Sequence, residues 1–155
     1  MAEFSTEINS TFPNERVKAM LNIKFTANYL DNIGNTLLKP FNISEQQYNI
    51  LRILRGAKEA ITVKTVKDRM VQKSPNSTRL MDKLCDKGLI ERIRSDKDRR
   101  VVYVKINKNG LDLLENIKMD DFEYVLNYIS EDEARTLNKL LDKFRINEDK
   151  NIQSK

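Results

Sequence analysis

The chain has 155 residues, 39% of them hydrophobic and 33% charged, with four Gly, three Pro and no Trp. A fold of this length can bury roughly 70% of its unfolded surface, and so few turn formers exclude a turn-dense β-sandwich. With no His and one Cys, Cys85, it has no Ser-His-Asp or Cys-His catalysis, His-ligated metal, intrachain disulfide or thiolate zinc cluster.

Neither GxGxxG nor GxxxxGK(S/T) occurs, so no nucleotide cradle is encoded. No cofactor is expected, and nothing points to an enzyme. The longest strongly apolar run, Val101-Val102-Tyr103-Val104, falls far short of the ~18 residues of a membrane helix. The opening MAEFSTEINSTF lacks a basic start and an apolar core, so no secretory signal is read and a cytoplasmic location is expected. The net charge of +5 is unevenly placed: residues 62–108 hold 14 basic and 6 acidic side chains, and the remainder is slightly acidic. Clustered positive charge is the footprint of a nucleic-acid surface; a solvated lysine-rich face is the competing reading.

In chain order, residues 14–38 carry Met20, Ile23, Ala27, Leu30 and Leu37 at helical spacing, with Leu21, Phe25, Tyr29 and Ile33 as a second stripe. A helix apolar on two faces must bury both, so one needs a partner chain or another layer. Pro40 ends it. Ser44-Glu45-Gln46-Gln47 is a capping box. The helix behind it shows Tyr48, Leu51 and Leu54 on one face and runs to about Gly56, a natural stop. Thr62 caps a short helix with Val63, Val66 and Met70 inward. A turn of Val71, Gln72 and Lys73 leads to Ser74-Pro75, where Ser74 suits an N-cap and Pro75 the first helical position. This second helix, 75–87, buries Leu80, Met81 and Leu84 and ends at Gly88.

The period then changes to two. Leu89–Arg94 and Val101–Ile106 read as strands, the latter with Val102, Val104 and Ile106 on one face. The polar stretch Ser95–Arg100 reads as their hairpin tip. Asn107 caps a helix of about 108–128. Ser130-Glu131-Asp132-Glu133 is a second capping box, opening a helix with Ala134, Leu137, Leu140, Leu141 and Phe144. The tail at 147–155 lacks apolar anchors and is expected to fray.

Two short helices joined by a three-residue turn and followed by a hairpin describe a winged helix-turn-helix, here in a mainly α (α+β) chain. A recognition helix needs small polar or basic side chains near its start, where they reach base edges in a major groove. Ser74, Asn76, Ser77, Thr78 and Arg79 occupy that position, with Lys83 one turn beyond Arg79. Asn suits adenine and Arg suits guanine by bidentate geometry. The tip presents Lys97, Arg99 and Arg100 on a protrusion narrow enough for a minor groove, where Arg gains from enhanced negative potential. For Lys97 and Arg99, phosphate contact competes with solvated loop charge. For Arg79, base contact competes with a surface ion pair to Asp82 or Asp86.

These residues resemble the MarR family (multiple antibiotic resistance regulators). Thr78-Arg79-Leu80-Met81-Asp82-Lys83-Leu84 through Lys87-Gly88-Leu89-Ile90-Glu91-Arg92 is similar to that family's recognition-helix exit and first wing strand. Asp98-Arg99-Arg100 through Asn107 and Gly110 is similar to its wing signature, D-x-R followed by a strand and T-x-x-G. Asn107 departs from the usual Thr, but both cap helices. The resemblance covers about residues 14–146. It implies a homodimer built by 14–40 and 108–146, a winged DNA-binding domain at 41–107, and a wing in which Asp98 braces Arg100. It also implies a small aromatic or amphipathic effector that releases a repressor from double-stranded DNA at a pseudo-palindromic operator. The alternative is a winged-helix protein-interaction module that does not read DNA. Cys85, near a helix end between Asp82 and Asp86, sits where a thiolate is disfavoured, so redox sensing is not expected.

Overall fold

The computed structural model describes residues 3–72, 75–95, 98, 100–117 and 125–145. Met1–Lys118 and Met119–Lys155 form two separate units. In the first, a short helix α1 (Phe4–Glu7) precedes α2 (Glu15–Leu38). Sequence reading missed α1, which is fastened by Phe4: its ring stacks on Phe12 and tilts against Phe25, both at 5.3 Å between centroids. Asn14 opens α2 by accepting from the amides of Arg16 and Val17, each at 3.0 Å. Pro40, inside a 3-10 turn at Lys39–Phe41, ends it.

Helix α3 (Glu45–Ala57) starts from the expected capping box: Ser44 Oγ accepts from the Gln47 amide, and Gln47 Oε1 accepts from the Ser44 amide at 3.1 Å. That reciprocal bond satisfies the Oε1 of a buried glutamine, whose Nε2 has no hydrogen-bond partner among the described residues. The helix passes Gly56, and Lys58 takes the left-handed conformation with φ of 59°. Gly56 still lies in the last turn, two positions before the left-handed residue that serves as the stop. Strand β1 (Ile61–Thr62) leads directly into α4 (Val63–Arg69), capped by Thr62 Oγ1 on the Thr65 amide at 3.0 Å.

Helix α5 spans Ser77–Asp86, starting two residues later than the expected 75–87, with Asn76 at its N-cap. Ser74, expected as the cap, lies outside the described residues. Gly88, at φ of 65°, closes α5: its amide reaches Cys85 O at 2.8 Å and the Leu89 amide reaches Leu84 O at 3.0 Å. This is a Schellman close, which places a glycine in the left-handed position. Strands β2 (Ile90–Arg94) and β3 (Val102–Ile106) pair antiparallel, Ile90 opposite Ile106 and Arg94 opposite Val102. The expected two-stranded wing is part of a three-stranded sheet of order β1-β3-β2, because Ile61 pairs with Val104. Two residues are too few for alternation to show.

Asn107 caps α6 (Lys108–Asn116), accepting from the Gly110 amide at 3.0 Å while its Nδ2 donates to Gly88 O at 2.8 Å. The departure from Thr therefore ties the α6 start to the α5 end. Gly110 sits so close to that junction that a Cβ would lie 2.3 Å from Leu89 O. The expected helix of 108–128 stops at Asn116. At Ile117 the backbone turns extended (ψ of 98°) and the side chain is buried in the core. The segment 118–124 lies outside the described residues.

The core of this unit joins α3, α4, α5 and the sheet: Ile50, Leu51, Leu54, Val66, Met81, Leu84 and Val104 are each at most 1% exposed. Burying each such side chain contributes roughly 1.5–3 kcal/mol. In the second unit, Ser130 and Glu133 form the expected capping box for α7 (Glu131–Lys143), where Leu137, Leu140 and the following Phe144 are exposed. The tail 147–155 lies outside the described residues. No helix among the described residues is long and apolar enough to cross a membrane.

Candidate nucleic-acid interface

The surface residues of α5 follow from its buried stripe. Ser77, Met81 and Leu84 stand at i, i+4 and i+7 and turn inward; Ser77 is 2% exposed. This corrects the reading of Ser77 as a base contact, since its side chain faces the core. Asn76, Thr78, Arg79 and Lys83 are exposed, so the first turns of α5 present an amide, a hydroxyl and two cations. Among the described residues Arg79 makes no ion pair. The rival reading gave it Asp82 or Asp86 as partner; Asp82 Oδ1 is taken by Arg92 Nη2 of β2 at 2.6 Å, and Asp86 forms no ion pair among the described residues.

The wing tip is closed by a local network. Ser95 N donates to Val101 O at 3.1 Å, Val101 N to Asp98 O at 2.9 Å, and Asp98 N to Ser95 Oγ at 3.3 Å. The Asp98 carboxylate accepts from the Arg100 backbone amide at 2.9 Å. Asp98 thus braces Arg100 through its main chain. The exposed guanidinium has no ion-pair partner among the described residues. Lys97 and Arg99 lie outside the described residues, as does Ser74.

Sequence reading missed Arg92 and a polar cluster around Gln72. Arg92 shares a strand face with Ile90 and Arg94, which alternation could have revealed. Gln72, in the turn after α4, donates through Nε2 to both Asp31 oxygens at 3.0 and 3.1 Å and accepts from Gln46 Nε2 at 3.1 Å. Beside it, burial pushes the Glu45 carboxyl above its ordinary range and the Asp31 charge adds to this. No sequence signal announces that cluster, whose members come from α2, α3 and the turn after α4. Burial also pushes the Cys85 thiol up; Arg92 opposes the shift, while Asp82 and Asp86 add to it.

A polar, cationic recognition-helix start beside a braced arginine wing defines the winged helix-turn-helix class. A sequence model described as the MarR family matches residues 41–101. The multiple antibiotic resistance protein MarR of Salmonella typhimurium is 30% identical over 147 residues, covering 92% of this chain and 98% of that protein. A MarR transcription factor from Planctomyces limnophilus is 32% identical with a TM-score of 0.66, covering 85% of this chain and 98% of that one. A MarR variant from E. coli, solved in complex with operator DNA, is 28% identical with a TM-score of 0.67, covering 92% and 99%. The chain belongs to the MarR family, whose members are transcription regulators rather than enzymes.

Proposed function

We propose that this chain is a homodimeric transcriptional regulator that binds double-stranded DNA sequence-specifically, and that it is a repressor released by a small aromatic or amphipathic effector. The observation that carries this is the exposed Arg79 on α5, without an ion-pair partner among the described residues, together with Arg100 on an Asp98-braced wing. Asn76, Thr78, Arg79 and Lys83 enter the major groove, where Arg79 meets guanine O6 and N7. Arg100, with Lys97 and Arg99, engages the flanking minor groove and phosphates.

Segments 14–40 and 108–146 form the dimer and 41–107 reads DNA. The half-sites then lie about one helical turn apart. Effector release requires a ligand that binds one spacing of the two recognition helices better than the other. The chain carries no catalytic role in this reading, and the protein-interaction module has no observation of its own. Selecting bound sequences from random duplexes, with a footprint and a salt titration, tests the proposal. A pseudo-palindrome with protected flanks is expected; binding indifferent to salt and sequence overturns it.

A further inference from the structure

Arg92 occupies an unusual place for a charged strand residue. It stands opposite Val104, just as Ile90 stands opposite Ile106, and directly opposed residues share a sheet face. Arg92 therefore lies on the face that carries the core, at its rim, and its guanidinium reaches across to Asp82 on α5. The two side chains remain 33% and 48% exposed, and a pair this well solvated adds little to stability. Its larger effect is on the charge pattern of α5. Asp82 follows Arg79 by three residues, within reach of it along the helix. While Arg92 holds Asp82, the carboxylate is neutralised from the sheet side and Arg79 stays unpaired among the described residues.

We propose that Arg92 is a positioning residue for DNA recognition: by holding Asp82 it keeps the Arg79 guanidinium available to the groove and masks a carboxylate beside it. The inference rests on the DNA-binding reading above and adds to it a residue that acts only through another. A mask and a simple brace differ in what they demand of Asp82. A brace fails equally when either partner is removed, whereas a mask is needed only while Asp82 carries its charge.

The test compares wild type, Arg92→Gln, Asp82→Asn and the double variant on the selected duplex and on a scrambled one, with thermal melts as a folding control. Arg92→Gln should weaken binding to the selected duplex on the order of tenfold, the size of one lost arginine–guanine contact, and weaken the scrambled duplex less. Asp82→Asn should bind as tightly as wild type or more tightly. The double variant should return to within about twofold of wild type. An Asp82→Asn loss equal to that of Arg92→Gln, a double variant that does not recover, or an unaffected Arg92→Gln each overturns the proposal. Should Arg92→Gln melt early, Arg92→Lys, which keeps a cation on Asp82, must bind like wild type, and a loss there is equally fatal. Wild type that binds no duplex removes the underlying reading instead, and is seen before any variant is made.

Discussion

The winged unit and helix α2 handle their apolar residues in opposite ways. From α3 to α6 the chain closes a core on itself, with Ile50, Leu51 and Val104 shut away from water. Helix α2 has 24 residues, yet only Gly34 and Leu38 are buried, while Met20 is 44% and Tyr29 51% exposed. Met20 and Tyr29 stand nine residues apart, on opposite sides of the helix, so exposed apolar surface is spread over both stripes. The winged unit closes its own core, whereas α2 leaves most of its apolar side chains exposed.

The strongest blow to this contrast is a cavity in the core. Leu51→Ala should cost about 2–5 kcal/mol, read in urea melts. A cost well under that range would mean that the winged core is not what holds the fold. Next, Met20→Glu with Tyr29→Glu should leave the helical content of the chain intact. It should weaken the dimer by about 2 kcal/mol or more, roughly thirtyfold in dissociation constant. Sedimentation showing an unchanged dimer would make α2 an ordinary solvated helix.

Within the winged unit, Arg79→Ala should cost about 1–3 kcal/mol on the selected duplex and relax one position per half-site. Arg100→Ala should weaken many sequences alike and lower the salt slope by about one unit per wing. Equal losses on matched and scrambled duplexes for Arg79→Ala remove its base-reading role.

A smaller effect sits at the seam of the two regions. Glu45 Oε2 is buried without a hydrogen-bond partner among the described residues, against Gly34 of α2. Burial, then Asp31, raises its folded pKa, so the folded state favours the neutral acid. The penalty of holding a carboxylate there is absent below the ordinary carboxylate range and complete above the raised value. Stability should therefore fall as pH rises through the window just above ordinary carboxylates, and Glu45→Gln should flatten that slope. Chemical melts across this window check it, and a slope unchanged in the variant counts against the seam. Least of all, Cys85→Ser should leave DNA affinity and its response to mild peroxide unchanged, because burial holds the thiol protonated. A peroxide effect present only in wild type would reverse this.

Much of the interface was legible in the residues. Thr62, Asn107 and both capping boxes announce helix starts through their own side chains, and β-branched alternation marks β3. Ser77 was legible too: its spacing from Met81 places it on the buried stripe, and polarity alone misled. Other features carry no local mark. Lys58 takes a left-handed turn that a glycine two residues earlier seemed to claim. No proline or glycine announces the stop at Ile117, which goes extended as its side chain enters the core.

What the sequence by itself determined is whatever depends on neighbours within one or two turns of chain: periodicity, caps, the hairpin and the basic block. Tertiary structure alone decided which groups meet across the chain. It set the two-residue β1 against β3, Asn107 against Gly88, Gln72 against Asp31, and Arg92 against Asp82 rather than Arg79 against it. The physical reason is range. A cap or a stripe is satisfied by atoms a few residues away, whereas an ion pair is chosen among all charges that packing brings within reach, and packing is a property of the whole core.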